Sequence, residues 1–431
     1  MRPRAATPSL VADRVRDFYD SHPYPPPVTS LDDYRRLWED VGRRRADHHL
    51  FFPDQSYRGK QAILVAGCGT SQAAKYALRE PAAAVVAIDV SATSISHTRE
   101  LKERYRLANL EIYQLPIEQV HELERSFDKI VCTGVLHHLP SPEAGLRALR
   151  DVLDPQGAMH LMVYARYGRA GIYMLQEYCR RLGVESTDDE IQELAETLLA
   201  LPERHPLRHL LAESPDFRTK AGLADALLNP NDRAYTVPQL FDFIDGSGLV
   251  FGRWLRQAPY LPQCGVLAET PHATRLRRLS AQEQFAAMEL FRGTMVRHSA
   301  IVYHNDREGT AQPIRFDDET WLDYVPIRLF ETRCLEERLP DGAAAVLLNR
   351  AHSYTDIYLP IDAAQKRLFE TIDGERTIGE IVKSSSTPAA ERSREGAGAF
   401  FEQLWCYDQV VFDLSPARQN LRRADQPMPD R

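Results

Sequence analysis

The run Ile63-Leu64-Val65-Ala66-Gly67-Cys68-Gly69-Thr70-Ser71-Gln72 carries an apolar stretch onto two glycines and into a helical pattern. Glycine there lets the backbone pass close to a ligand, and the helix N-terminus that follows offers free N–H donors. Asp89 closes the next apolar run, where a carboxylate can take both hydroxyls of a ribose. A nicotinamide or flavin dinucleotide is the rival ligand. Its fingerprint needs a third small residue three positions after Gly69, and Gln72 stands there instead. His137 and His138 follow a fourth apolar run. Imidazole titrates near neutrality, so either is a candidate general base, with the structural role of a helix-start histidine as the alternative. Tyr164 is a further candidate at the end of a fifth run, and Tyr235 a candidate for lining an acceptor site. No metal site is expected, because the Asp and His residues lack ligand spacing along the chain.

The elements that must position these groups alternate. Short β-rich runs at Ala62–Ala66, Val85–Asp89, Leu110–Gln114, Lys129–Thr133 and Ala158–Tyr164 are separated by helical stretches, which predicts a parallel sheet covered on both faces. Residues from about 165 to 248 read as a helical cap inserted before two closing strands, Leu249–Leu255 and Ala300–His304. The expected architecture is therefore a doubly wound α/β fold with a seven-stranded, mostly parallel sheet. An amphipathic segment, Val11–Tyr19, precedes it and is ended by the prolines of Ser21–Pro27. The composition changes near Asp306 to Pro313. Beyond it come strands at Thr332–Arg338, Ala343–Leu348 and Asp356–Leu359, with a hairpin signal at Asp341-Gly342. Helices follow at Ala363–Ile372 and Ile378–Lys383, the second with a Thr377/Glu380 capping box. A loop spans Ser384–Gly398, a helix Ala399–Tyr407 and a strand Val410–Leu414. The expected division is an N-terminal lid at 1–60, a catalytic domain at 61–310 and a small α+β module at 311–431.

The series from about 61 to 164, roughly a quarter of the chain, resembles the class I S-adenosylmethionine-dependent methyltransferases. The Gly134-Val135-Leu136-His137-His138-Leu139 segment and the Leu153-x-Pro155-x-Gly157 turn before the fifth strand are the more specific parts of the likeness. The resemblance implies S-adenosyl-L-methionine as cofactor. Gly67, Cys68 and Gly69 would border its methionine part, Asp89 would bind the ribose, and Val90, Pro116 and Ile117 would flank the adenine. Thr133 and Gly134 would close the site. Three positions depart from the family: Val65 stands where an acid is usual, Ser71 where a third glycine is frequent, and Pro116 where an aspartate is frequent. The segments Tyr19-x-x-x-Pro23-Tyr24-Pro25 and Asp232–Pro238 are similar to superfamily members with a cap, which implies a lid and a substrate wall; loop and N-cap chemistry is the other reading. No Asn-Pro-Pro-Tyr tetrad follows the fourth strand, against an amino methyltransferase acting on a base or glutamine. Residues of about 356–414 resemble the small PqqD-like winged-helix modules, some of which hold a peptide.

Bulk properties bound the partners. The net charge of −8 argues against a nucleic-acid partner, and the Arg43-Arg44-Arg45 run reads as a solvated helix face. The six cysteines have no knuckle or redox spacing and fit reduced thiols in a cytoplasmic protein. Met1–Asp20 lacks an apolar core, so a signal peptide is not expected. The most apolar stretch, Ala82–Ile88, is too short to span a bilayer, so no membrane partner is expected. The reading is a methyltransferase with a small-molecule or peptide acceptor. The alternative is a cofactor-binding regulator or scaffold that kept the fold and lost the chemistry.

Overall fold

The first strand, β1 (Ala62–Ala66), has Ile63 to Ala66 fully buried, because helices cover both faces of the sheet it centres. The structure, a computed structural model, describes residues 8–213, 215–307, 314–384 and 390–415. Its contacts divide the chain into two compact units. One comprises Met1–Leu37, Gly59–Phe251 and Glu289–Asp306; the other comprises Trp38–Arg58, Gly252–Met288 and Arg307–Arg431.

Along the chain β1 is followed by β2 (Ala84–Asp89), β3 (Leu110–Gln114), β4 (Phe127–Thr133), β5 (Leu153–Tyr164), β6 (Leu249–Trp254) and β7 (Arg297–His304). Their order across the sheet is β3-β2-β1-β4-β5-β7-β6. The pairs β1–β2, β2–β3, β1–β4 and β4–β5 are parallel, and β5–β7 is antiparallel. This is the seven-stranded doubly wound sheet expected. The order reverses between β1 and β4, so the segments leaving those two strands diverge and open a crevice at the carboxyl edge.

The cap is helical, with Ala170–Leu182, Asp188–Leu199, Pro206–Glu213, Lys220–Leu228 and Val237–Asp245. Leu175, Ile191, Leu194, Leu223 and Leu227 form its own apolar core. Phe18, on the N-terminal helix Pro8–Ser21, packs into that core. The Leu153-to-Gly157 segment differs from expectation. It does not precede β5 but lies inside it: Phe127 pairs with Leu153, the register shifts, and the ladder resumes at Lys129–Ala158. Gly157 is needed there because a Cβ would press on the Asp128 carbonyl at 2.8 Å.

The second unit holds β8 (Val325–Arg328), β9 (Thr332–Leu335), β10 (Ala345–Asn349), β11 (Leu359–Ile361) and β12 (Val410–Asp413). Strands β9, β10 and β11 form an antiparallel sheet, and β12 pairs antiparallel with β8. Helices Ala363–Glu370, Ile378–Ser384 and Ala390–Cys406 bury Phe369, Ile378, Phe401 and Leu404 with Leu347 and Phe412. The capping box is formed: Thr377 N donates to Glu380 Oε2 and Glu380 N to Thr377 Oγ1. The short β8 had no separate signal in the sequence. Of the expected Ser384–Gly398 loop, Ala390 onward is helical and 385–389 lies outside the described residues. The composition change at 306–313 also falls largely outside them.

The boundaries at 60 and 310 do not match these units. Residues 38–58 and 252–288 belong with the C-terminal part. The reason is local: Leu414 N donates to the Pro53 carbonyl (2.7 Å), and Asp408 accepts from Ala258 N (2.9 Å) and Arg253 (3.1 Å). The arginine run is not a solvated face either. The Arg43 guanidinium lies over the Phe330 ring at 3.7 Å and near Trp38, with Glu331 at 3.7 Å. Among the described residues no helix is long and apolar enough to cross a membrane.

Candidate active site

At the carboxyl end of β1 the chain turns through Gly67 (φ +68°) and Gly69 (φ +53°), both left-handed, which glycine adopts without the Cβ penalty. Gly67 N and Cys68 N donate to the Ile88 carbonyl at 2.9 and 3.0 Å, binding the turn to the end of β2. One residue on, Asp89 joins two loops. Its Oδ2 accepts from Gly69 N (2.8 Å) and its Oδ1 from Ser91 N (2.9 Å). Burial raises the Asp89 carboxyl above its ordinary value, and the N–H groups of Ser91, Gly69 and Val90 oppose that rise. The two oxygens keep acceptor capacity beyond these backbone bonds.

Other elements close on this turn. Gln72, in the first turn of the helix Gln72–Arg79, donates from Nε2 to Thr133 Oγ1 at 2.8 Å, tying that helix to the end of β4. The Thr98 hydroxyl donates to the Gly69 carbonyl at 2.9 Å. From the N-terminal segment, the Pro25 carbonyl accepts from Thr70 Oγ1 (2.8 Å), and a Cβ on Gly69 would meet Pro25 Cδ at 3.1 Å. Asp20 accepts from Ser91 Oγ at 2.8 Å. The Tyr19-to-Pro25 segment therefore lies directly over the glycine turn.

Beyond β4 a second group gathers, buried and polar. His137 and His138 are 0% and 2% exposed. Their rings lie 4.2 Å apart, and His137 packs on Tyr164 at 4.0 Å. Tyr164 and Tyr19 both donate to Asp225, at 3.2 and 2.8 Å. The Arg169 guanidinium covers the Tyr164 ring at 3.5 Å and reaches Asp232 Oδ2 at 3.3 Å. Burial, then the neighbouring His138 and Arg169, hold the His137 imidazole well below its usual range, so it is neutral. Burial and Asp225 keep the Tyr19 hydroxyl protonated and donating.

A family profile described as a methyltransferase domain matches residues 64–159. An uncharacterised protein of Synechococcus sp. is 31% identical over 299 residues, which cover 66% of this chain and 70% of that protein. The chain belongs to the class I S-adenosylmethionine-dependent methyltransferase family. Its cofactor is accordingly S-adenosyl-L-methionine. A ubiquinone biosynthesis O-methyltransferase of Neisseria meningitidis is 27% identical over 135 residues, and the match spans 56% of its length. Among solved structures, PKMT2 from Rickettsia typhi in complex with AdoHcy superposes with a TM-score of 0.63 at 16% identity, covering 87% of this chain and 75% of that one. That likeness concerns the fold.

Most of the residues expected to hold the cofactor come to one edge of the sheet. Gly67, Gly69, Asp89, Val90, Thr133 and Gly134 lie at the ends of β1, β2 and β4 on the crevice. The Cys68 thiol does not: it is fully buried toward Thr98, and burial raises its pKa, so only its backbone borders the crevice. Pro116 begins the turn after β3, while Ile117 is buried where a Cβ on Gly145 would touch it. Val65 is fully buried and paired with Ala87 and Val131, and offers the cofactor's amino group no charge. His137, His138 and Tyr164 come together. Tyr235 does not join them; its ring stacks on Phe243 at 5.1 Å, and its backbone N donates to the Tyr164 carbonyl. Asp20, Asp225 and Asn231 carried no sequence signal for this site, because neighbours along the chain do not reveal contacts made 71, 206 and 93 positions away.

Proposed function

We propose that this chain moves the methyl group of S-adenosylmethionine to a nucleophile of a small molecule or peptide held beside His137, His138 and Tyr164. The observation that carries this is the meeting, at one sheet edge, of the two-glycine turn joined to Asp89 and a buried polar cluster. The bound sulfonium supplies an already activated methyl group. What remains for the protein is in-line placement, exclusion of water and, for a poor nucleophile, removal of a proton. His138 is oriented for the last task. Its Nδ1 lies 2.7 Å from the Asn231 carbonyl, which can only accept, so Nδ1 carries the hydrogen and Nε2 the lone pair. Tyr164, fixed by Asp225, would line the acceptor, and Tyr19-to-Pro25 would keep water from the reacting groups. Asp89 would hold the ribose, Gly67 to Gly69 the methionine part, and Val90, Pro116 and Ile117 the adenine. The PqqD-like likeness of the C-terminal elements supports a role in presenting a peptide acceptor. A cytoplasmic setting is supported by the free cysteines, five of them buried.

One observation favours a second reading, a cofactor-binding regulator: Val65 is buried without charge where the family places an acid. Calorimetric titration separates the readings together with turnover. The wild type is expected to bind S-adenosylhomocysteine and to consume S-adenosylmethionine when acceptor is present. Asp89→Ala, losing charge-assisted bonds worth about 1.5–3 kcal/mol, is expected to weaken cofactor binding at least tenfold. Unchanged affinity in a folded variant removes Asp89 from the ribose site, and tight binding without turnover on a broad acceptor panel favours the regulator.

A further inference from the structure

We propose that His137, His138 and Asp232 form a binding site for one divalent transition-metal cation of the zinc class. Their candidate ligand atoms lie within 4.8 Å of one another. All three side chains are at least 98% buried, yet each carries polar atoms that the protein leaves without a hydrogen bond: both ring nitrogens of His137, Nε2 of His138 and Oδ1 of Asp232. One such buried atom is costly, and several converging on one point mark a missing ligand.

The groups behind these atoms are arranged as outer partners of a metal site are. His138 donates from Nδ1 to the Asn231 carbonyl at 2.7 Å, which fixes the ring and turns the Nε2 lone pair inward. Metal-bound histidines typically hold their second nitrogen this way. Asp232 is held by its other oxygen, Oδ2, which accepts from Gln176 Nε2 (3.0 Å) and Arg169 Nη2 (3.3 Å), leaving Oδ1 for the ligand. The two contributing segments are laced together. Asn231 Nδ2 donates to the carbonyls of His138 and Leu139, both at 2.9 Å, and Arg233 N donates to that of His137 at 3.1 Å. Arg169 opposes a cation, but it is engaged with the outer oxygen of Asp232 and with the Tyr164 face. With Asp225 nearby, carboxylates outnumber guanidinium in this cluster.

Two imidazoles and one carboxylate suit zinc and its transition-metal neighbours, whereas calcium and magnesium prefer oxygen throughout. Ligands about 2.1 Å from a zinc stand about 3.4 Å apart, so from separations within 4.8 Å binding requires the three to close by up to about 1.4 Å. Three protein ligands leave a position open for a further ligand. A metal there would occupy the lone pair assigned above to proton removal, and would itself acidify a bound hydroxyl. The inference therefore rests on the methyl-transfer reading only for what the open position serves; the binding itself is independent of it.

The test uses the full chain, stripped with a chelator and titrated with Co2+ under visible absorption, then challenged with Zn2+. One equivalent of Co2+ with ligand-field bands, displaced by Zn2+, is expected. Asp232→Asn and His138→Ala are each expected to weaken it at least tenfold. Zinc-edge X-ray absorption of the wild type, which does not depend on the variants folding, is expected to show two imidazoles and no sulfur. No saturable binding, a sulfur-containing shell, or unchanged affinity in both variants overturns the proposal. S-adenosylhomocysteine affinity is measured on the same samples: metal bound without cofactor refutes the methyl-transfer reading and keeps the site, while cofactor bound without metal does the reverse.

Discussion

The glycine turn and the polar cluster lie on the same edge of one sheet but are assembled in opposite ways. The turn is local. Gly67, Cys68 and Gly69 are consecutive, and their partners Ile88 and Asp89 end the neighbouring strand. The cluster is distant in sequence. Tyr19 reaches Asp225 across 206 positions, and His138 reaches Asn231 across 93. A local site survives so long as one strand–turn–helix unit forms. A site built from remote segments exists only once the cap, the N-terminal helix and the β4 segment have all docked. Mutations should divide accordingly.

The largest effect is expected where remote assembly is cut outright. A chain ending near residue 310 keeps Trp38–Arg58 and Gly252–Met288 but removes the part of their unit that begins at Arg307. Ala258 and Cys264 would lose the burial they share with Ile357 and Cys406, and the Leu414–Pro53 and Asp408–Ala258 bonds would go. The truncate is expected to aggregate or to melt without cooperativity. A soluble, cooperative truncate with full cofactor affinity would mean that those segments fold without the C-terminal part.

Next comes the turn itself. Gly67→Ala places a Cβ on a left-handed residue, costing about 1–2 kcal/mol, and drives it into the Val135 side chain, where overpacking costs a further 1–3 kcal/mol or so. Cofactor binding should be lost while the cluster's contacts persist. Adding Val135→Ala should restore stability in part, since it relieves the collision and not the backbone strain. Full recovery would show that the φ of Gly67 is irrelevant. Thermal unfolding and cofactor titration read both quantities.

A smaller effect is expected from Tyr19→Phe. It removes one donor from Asp225 and the acceptor of Asn229 Nδ2 (3.1 Å), a loss of about 1–3 kcal/mol. Asp225→Asn in that background should recover part of it, because an amide tolerates burial without the hydroxyl better than a carboxylate does. Turnover should fall more than cofactor affinity. Equal losses in both would mean that the cluster and the turn are not separable.

What could be read beforehand follows the same division. The strands, the two glycines, Asp89 and the Thr377 capping box were legible because each rests on neighbours a few positions apart. Even the misfit of Gln72 to a dinucleotide site was visible, though not its bond to Thr133. The cluster was legible only in pieces. His137, His138 and Tyr164 stood out by type and place, but Asp232, which lies with them, comes only after the cap helix Lys220–Leu228, so ligand spacing along the chain gave no hint of it. Arg43 misled for the same reason: a basic run predicts solvent until Phe330 and Glu331 arrive from the far end of the sequence. The start of β5 was expected five residues late, at Ala158 and not Leu153, since a proline and a glycine between apolar runs look alike as a turn and as an irregularity inside a strand.

The smallest effect tests whether that one unanticipated bond matters. Gln72 Nε2 donates to Thr133 Oγ1 across the base of the crevice, partly buried and between neutral groups. Such a bond contributes about 0.5–1.5 kcal/mol net. A double-mutant cycle isolates it: Gln72→Ala, Thr133→Val and the pair, each followed by denaturant unfolding and by S-adenosylhomocysteine titration. A coupling of about 1 kcal/mol in stability is expected, because the bond joins the helix after β1 to the end of β4 where the strand order reverses. In cofactor affinity the two single variants should differ. Thr133→Val should cost more than Gln72→Ala, since only Thr133 is assigned to the cofactor pocket. Equal losses there, with coupling near zero, would leave Gln72 as a surface of the crevice in its own right. The residue that argued against a dinucleotide would then be a direct contact of the nucleoside.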